Sequence, residues 1–339
     1  MRAISHQAST NGEAILLMDF ANAFNSADRN LVISLSARMC PELTNLAWWL
    51  YNMEPRLLTT SGDVVRSSLG TQQGCGLSKP VFALLMQHIH EKIKDIPGLR
   101  TTLFFWDDTA LVGTPSALAT AAKIISECTS ETGLRLRWTK CHLYGTPKTI
   151  NFCRALTNPC FPEQITVYED FNIEYLKAPI GSNEFVSEWL QDKLLDLHKA
   201  TQLVCAMECK HEAGTLLRSC AAVCRVVYLM RTVPPKQIAA FISEFDSILQ
   251  LAFETLLESD ISAKVWDIAK LPTEYGGMEW KTGLHTFGAH YLKYIAKNAT
   301  PIDDIVPAWT LQARHGKMSA NGWHSMPALA TTPRTWWRK

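Results

Sequence analysis

Two short apolar runs, far apart in the chain, both end in acid. Ala14-Ile15-Leu16-Leu17-Met18 runs into Asp19, and Thr101-Thr102-Leu103-Phe104-Phe105-Trp106 runs into Asp107-Asp108. Continuous apolar runs of this length read as interior strands. If those strands are neighbours, Asp19, Asp107 and Asp108 converge on one edge of a buried sheet. Carboxylates crowded there repel and raise one another's pKa. A divalent cation removes the conflict, and a small all-oxygen donor set suits Mg²⁺, with Mn²⁺ as a substitute. Two such ions activate an attacking hydroxyl and stabilise a leaving phosphate oxygen, so the chemistry is phosphoryl or nucleotidyl transfer. An Asp-Asp dipeptide alone is more often a solvated turn. Asp303-Asp304, between Pro301-Ile302 and Ile305-Val306-Pro307, reads as such a loop. The flanking apolar strands and the strand-borne Asp19 set Asp107-Asp108 apart from it.

The elements that position these acids follow from the pattern around them. Ala27 to Leu35 and Leu43 to Tyr51 read as helices broken at Pro41. Arg56 to Ser68 reads as a hairpin turning at Ser61-Gly62-Asp63, and Lys79 to Ile93 as a helix with Pro80 in its first turn. Ala110-Leu111-Val112-Gly113 makes a hairpin with the second acidic strand, turning at Asp107-Asp108-Thr109. Pro115 to Cys128 is helical and Gly133 ends it. Leu134, Leu136 and Trp138 alternate with Arg135, Arg137 and Thr139, which predicts a half-exposed strand. Ile165 to Ile180 reads as another hairpin. After Gly181-Ser182 the period becomes helical over Phe185 to Tyr228 and Pro235 to Glu258, and Leu271 to Gly277 is a loop. These readings place a domain at 1–182, a helical region at 183–300 and an irregular tail at 301–339.

Composition sets the outer bounds. The chain has 339 residues, of which 47 % are hydrophobic and 19 % charged, which excludes disorder as the main state. A net charge of +1 gives no global argument for a polyanionic partner. No apolar run approaches the ~18 residues of a spanning helix, and the start has no secretory signal. Ten cysteines without a small-domain framework fit a reducing compartment.

Between the two acidic strands lies Gly70-Thr71-Gln72-Gln73-Gly74-Cys75-Gly76-Leu77-Ser78-Lys79-Pro80. With this block, the order of motifs resembles the reverse transcriptases of non-LTR (LINE-like) retrotransposons. Asp19-Phe20-Ala21-Asn22-Ala23-Phe24-Asn25 looks like motif A, the Gln-Gly block like motif B, and Phe104-Phe105-Trp106-Asp107-Asp108 like the motif C hairpin. Gly133 to Cys141 looks like motif D, and Tyr175-Leu176-Lys177-Ala178-Pro179-Ile180-Gly181-Ser182 is similar to the primer-grip motif E. Four or five blocks in order are specific where no single block is.

The resemblance implies an α+β right-hand polymerase palm, an antiparallel sheet backed by helices, followed by a mostly α-helical thumb-like domain. It implies RNA-directed DNA synthesis from an RNA template, a DNA primer and dNTPs, and a nuclear location without a membrane. Asp19 and Asp107 would hold two Mg²⁺ ions with the Phe20 carbonyl, and Asp108 would add charge. Phe24 would press on the incoming sugar and exclude a 2′-OH, with Gln73 and Gly74 along the nucleotide. Lys140 would donate a proton to pyrophosphate or contact phosphate. Trp106, Tyr175, Leu176 and Gly181 would hold the primer end. Trp106 stands where the family's hairpin carries a smaller residue. Arg2 is the one basic residue before Asp19, so the fingers region and the endonuclease domain are expected to be missing and the chain a fragment. The other reading is a catalytically silent palm that binds RNA or an RNA–DNA hybrid as the remnant of a retroelement.

In the helical part, Lys199, Lys210, Arg218, Arg225 and Arg231 suggest a cationic face for a nucleic-acid backbone, with Arg218 and Arg225 seven apart on one helix face. Cys205, Cys209, Cys220 and Cys224 lack the short spacing of zinc knuckles and read as core filling. Trp323, Trp336 and Trp337 in the tail read as the edge of a missing domain, or as base-stacking rings.

Overall fold

A computed structural model describes residues 1–155, 161, 162 and 164–283. The tail tryptophans and Asp303-Asp304 lie outside the described residues. The chain divides into two compact units, Met1–Ser182 and a second that begins at Asn183.

The first unit is α+β. In chain order it comprises α1 (Arg2–Asn11), β1 (Ala14–Met18), α2 (Ala23–Ser26), α3 (Arg29–Met39), α4 (Pro41–Tyr51), β2 (Arg56–Leu58) and β3 (Val64–Arg66). Then follow α5 (Ser78–Ile93), β4 (Leu99–Phe105), β5 (Asp108–Gly113), α6 (Pro115–Glu127), α7 (Thr129–Thr132), β6 (His142–Tyr144) and α8 (Pro147–Ala155). The last strands are β7 (Thr166–Tyr168), β8 (Ile173–Tyr175) and β9 (Ala178–Ile180). The main sheet has the order β4-β5-β1-β6-β7, with β2–β3 and β8–β9 as separate hairpins.

β1 is central and buried along its whole length, because both faces of the sheet are covered. Leu16, Met18, Leu111 and Leu143 face a core with Leu35, Phe82 and Leu118 from α3, α5 and α6. Ile15, Leu17, Ala110, Val112 and Tyr144 face a smaller core with Ile4 and Ala8 of α1 and Ile173 and Ile180 of β8–β9. Two-sided burial is the reason the strand reads as an unbroken apolar run rather than an alternation. The architecture is palm-like, an antiparallel-rich sheet backed by helices, as the motif order implied.

Three local expectations need correction. Leu134 to Trp138 is not a strand: it makes one isolated bridge, Phe20 with Leu136, then tightens into a 3₁₀ turn at Trp138–Lys140. Ile165 to Ile180 is not one hairpin. β7 joins the main sheet parallel to β6, and only β8–β9 pair as a hairpin. The turn between β4 and β5 is Trp106-Asp107, so Asp108 is a strand residue paired with Phe105.

The buried Arg29 ties the motif A region to the Gln-Gly loop. Its guanidinium donates to the Gly70, Ser67 and Leu69 carbonyls and to Ser67 Oγ at 2.5–2.9 Å. Gly70 N–H donates to the Ala27 carbonyl at 2.9 Å, and Thr71 N–H to the Phe24 carbonyl at 2.6 Å. Gly70 has φ +77, and a Cβ there would lie 2.4 Å from the Asn25 Cα, so no other residue fits.

The second unit is helical, with α9 (Asn183–Cys205), α10 (Lys210–Leu216), α11 (Val227–Thr232), α12 (Pro235–Leu257) and α13 (Ala263–Ala269). Leu190, Leu197, Phe241 and Phe245 of α9 and α12 anchor its core. The helix expected over Phe185 to Tyr228 is interrupted after α9. Leu217–Ala221 is a π turn, Ala222 leaves helical geometry (ψ −137), and Val223–Arg225 is 3₁₀. The seven-residue spacing of Arg218 and Arg225 therefore does not put them on one helix face. Lys199, Lys210, Arg218, Arg225 and Arg231 are all exposed. Lys210 Nζ donates to the Cys205 carbonyl at the end of α9, at 3.1 Å, and Arg218 donates to the Met278 carbonyl at 3.3 Å. By length and composition alone, Lys210–Thr232 is apolar enough to cross a membrane, a test that core helices also pass.

Arg29→Met leaves several backbone carbonyls without their charged donor and should cost about 3 kcal/mol. Gly70→Ala forces a backbone collision and should cost at least about 2 kcal/mol. Urea unfolding of the purified variants, compared at constant m-value, measures both losses.

Candidate functional site: a carboxylate cluster at a sheet edge

β1 and β5 pair antiparallel to Met18↔Thr109. Continuing this register one step sets Asp19 across from Asp108. Asp19 follows Ile15 and Leu17 along β1, and Asp108 precedes Ala110 and Val112 along β5, so both acids belong to the face that carries β8–β9 rather than the face under α3, α5 and α6. Asp107 sits in the two-residue turn between β4 and β5. Trp106, the first turn residue, is left-handed at φ 55, the pattern of a type II′ hairpin in which glycine is the favoured residue.

The electrostatics bind the three acids into one group. Burial pushes the Asp19 carboxyl above its ordinary value, the Lys140 charge opposes this, and the Asp107 charge adds to it. Asp108 is raised by burial first, then by the charges of Asp107 and Asp19, with Lys177 opposing. Among the described residues, no three His, Cys, Asp or Glu side chains form a closed metal cage. The donor set fits Mg²⁺ nonetheless, because that ion keeps several waters and is held in phosphoryl-transfer sites by one or two carboxylates plus substrate phosphates. Arg137 N–H donates to the Asp19 carbonyl at 2.9 Å and Ala21 N–H to the Arg135 carbonyl at 2.8 Å. Phe20 and Leu136 are thus a non-hydrogen-bonded antiparallel pair, which turns the Phe20 carbonyl away from Leu136, to the side of β1 on which β5 lies. A backbone oxygen there is available as a further ligand.

A cavity of about 580 Å³ opens beside the acids. Its walls include Asp19, Asp108, Lys140, His142, Tyr144, Tyr168 and Glu174 to Lys177. The structure therefore brings Asp19, Asp108, Lys140, Tyr175 and Leu176 to one place, with Asp107 coupled to it by charge. Leu176 and Lys177 form the β8–β9 turn, both at positive φ (50 and 61), the type I′ geometry that suits a tight hairpin. Gly181 lies away from that wall. A Cβ on it would meet Asn172 Oδ1 at 2.3 Å, so its role is to let β9 leave past Asn172.

Phe24 stacks on Phe82 of α5, with centroids 4.3 Å apart and planes at 22°. Gln73 and Gly74 are exposed, and Gly74 has φ +87 with open space around its missing Cβ. Lys79, in the first turn of α5, places Nζ 4.5 Å from the centroid of the Trp106 ring. This cation–π contact ties the Gln-Gly segment to the acidic turn.

Sequence reasoning missed Arg29, His142, Tyr144 and Tyr168. β6 and β7 are three residues each, too short for any period to show. His142 pairs with Leu17 in register, two residues from Asp19, and burial pulls its pKa below the ordinary value.

Residues 1–153 match the family model described as reverse transcriptase (RNA-dependent DNA polymerase). Over that stretch the chain is similar to RNA-directed DNA polymerases, and the stretch contains Asp19, Phe24, Gln73, Asp107, Asp108 and Lys140. No curated protein sequence matches the chain. Among solved structures, telomerase from Candida albicans in complex with a fragment of telomeric RNA aligns at 9 % identity and TM-score 0.45, over 87 % of this chain and 48 % of that one. Telomerase from Candida tropicalis, likewise in complex with a telomeric RNA fragment, aligns at 11 % identity and TM-score 0.38, over 89 % and 49 %. The chain spans about half the length of these structures.

The raised carboxyls give a stability prediction with a definite sign. A carboxyl whose folded pKa lies above its unfolded value binds more protons in the folded state, so it lowers stability as pH rises through the two values. Asp108→Asn should therefore be more stable than wild type at pH 7 in metal-free buffer, by on the order of 0.5 kcal/mol. The gain should shrink toward pH 4. Chemical denaturation at the two pH values measures it.

Proposed function

We propose that the chain is the palm and thumb-like part of a retrotransposon reverse transcriptase, of the non-LTR kind, and that it adds dNTPs to a primer 3′-OH on an RNA template. The observation that carries this reading is the strand register that sets Asp19 across from Asp108 at the paired ends of β1 and β5, with Asp107 in the adjoining turn. The match to reverse transcriptases over residues 1–153 supports the substrate class. A nuclear location and the thumb role of the helical unit follow from the same reading.

Asp19, Asp107 and the Phe20 carbonyl would hold two Mg²⁺ ions, which supply charge neutralisation and activation of the primer hydroxyl. Asp108 reinforces the negative field that attracts them. Lys140, coupled to Asp19, neutralises phosphate charge or protonates the leaving pyrophosphate. Phe24, held from behind by Phe82, presents a rigid edge to the sugar and rejects a 2′-OH. Gln73 and Gly74 face the nucleotide and template. Trp106 and the Tyr175–Leu176 turn hold the primer end, and Gly181 gives the primer-grip segment its exit path past Asn172. Lys199, Lys210, Arg218, Arg225 and Arg231 follow the duplex backbone as separate exposed charges rather than as one helix stripe.

The test is Mg²⁺-dependent extension of an oligo(dT) primer on poly(rA). Wild type should extend it, and Asp19→Asn or Asp107→Asn should lower the rate by at least about 10³-fold, the scale of losing a group that acts in the transition state. Phe24→Val should raise ribonucleotide use relative to deoxynucleotide use by about tenfold or more. Hybrid binding without extension, unchanged by Asp107→Asn, would favour a silent hybrid-binding palm.

A further inference from the structure

Asp19 and Asp108 are placed by backbone pairing, Asp19 through its carbonyl to Arg137 and Asp108 through the β4–β5 ladder. Asp107 lies in the turn beyond that ladder. Its carboxylate makes no hydrogen bond or ion pair among the described residues, so the conformation of the turn decides where it points. That conformation is one a tryptophan resists. Trp106 is left-handed at φ 55, where a side chain is strained and glycine is not. The ring is what can hold it there. It packs on the core of the first unit from a partly buried position, and the Phe105 ring stands 4.7 Å from it at 42°. Lys79 Nζ sits over its face, 4.5 Å from the centroid. Lys79 itself is exposed, in the first turn of α5, where the helix dipole disfavours a cation. It makes no ion pair among the described residues, and the indole face is the partner that its ammonium has.

We propose that Lys79 is a positioning residue: its ammonium on the Trp106 ring holds the β4–β5 turn in its left-handed form and so sets Asp107 beside Asp19 and Asp108. The inference rests on the polymerase reading, in which Asp107 is a metal ligand, and adds to it a residue outside the acids on which metal binding depends. Charge and position act on that binding with opposite signs. Removing a cation near three acids would by itself strengthen the binding of a divalent ion. Losing the turn that aims one of those acids would weaken it.

The test is Mn²⁺ binding to the metal-free full chain by electron paramagnetic resonance, paired with steady-state extension of oligo(dT) on poly(rA). Lys79→Met keeps the stem and drops the charge. It should weaken Mn²⁺ binding about threefold and lower kcat about tenfold, with KM for dTTP within about twofold. Lys79→Arg, which keeps a cation over the ring, should recover most of both losses. Trp106→Gly takes the turn without a ring, so Lys79→Met added to it should cause no further loss in either reading. A lysine that touched phosphate itself would instead raise KM, and would do so in Trp106→Gly as well. Thermal transitions check that the variants fold, and Lys79→Gln replaces Lys79→Met if that one does not. Unchanged or tighter Mn²⁺ binding in the folded variant, or a loss that Lys79→Arg shares or that persists in Trp106→Gly, would overturn the proposal and leave the polymerase reading standing. Wild type that binds Mn²⁺ without extending the primer would remove that reading, and the Mn²⁺ affinities alone would then decide the proposal. Wild type that does neither would remove both.

Discussion

Like-charge repulsion at the end of a buried strand pair is the constraint on which the rest of the first unit turns. Asp19 and Asp108 are set across from each other by the register of β1 and β5, and the hairpin turn adds Asp107. Burial raises both strand acids, the Asp107 charge raises both further, and the Asp19 charge adds to the rise at Asp108. A sequence selected for stability alone would not collect three acids there. The arrangement makes chemical sense when cations neutralise it, and the surrounding structure holds it in place against its own repulsion.

That holding is distributed over both faces of the sheet. On one face, Leu16, Met18 and Leu111 lock the two strands to α3, α5 and α6. On the other, α1 and the β8–β9 hairpin cover Ile15, Leu17, Ala110 and Val112 and stop where the acids begin. Arg29 and Gly70 clamp the Gln-Gly loop to the segment after β1, so Phe24, Phe82 and Thr71 stay in register with Asp19. Lys79 and Trp106 add a direct link between that loop's helix and the acidic turn. The parts that would touch nucleotide, primer and ions are thereby referenced to one rigid sheet, which is what positioning catalysis needs.

Much of this was legible in the residues. The apolar run into Asp19 was readable because two-sided burial writes an unbroken hydrophobic signal, whereas the run into Asp107 is β4, an edge strand of half-buried and exposed residues rather than the interior strand expected. The helices over residues 78–93 and 115–127 carried periodic faces and terminal signals such as Thr114-Pro115. Less was legible after Gly133. Leu134 to Trp138 alternates like a strand, yet its backbone pairs only once before the 3₁₀ turn, since local alternation cannot report whether a partner strand continues. The parallel pairing of β6 with β7 is a long-range contact between two three-residue strands, below the length at which a period exists. The break in the helix between α10 and α11 was hidden because its residues are all acceptable in helices. The His142–Tyr168 wall was invisible for the same reason as its strands, and nothing in the residues around Arg29 marks it as buried.

The claim at the centre is that these acids bind divalent cations as a group. The most direct measurement is Mn²⁺ binding to the metal-free protein by electron paramagnetic resonance, with Asp19→Asn and Asp108→Asn in parallel. The account predicts saturable binding to wild type that is displaced by Mg²⁺ and weakened at least about tenfold in Asp19→Asn, because removing one of few charged ligands removes much of the attraction. Binding to Asp19→Asn indistinguishable from wild type, or no saturable binding to folded wild-type protein, would contradict it.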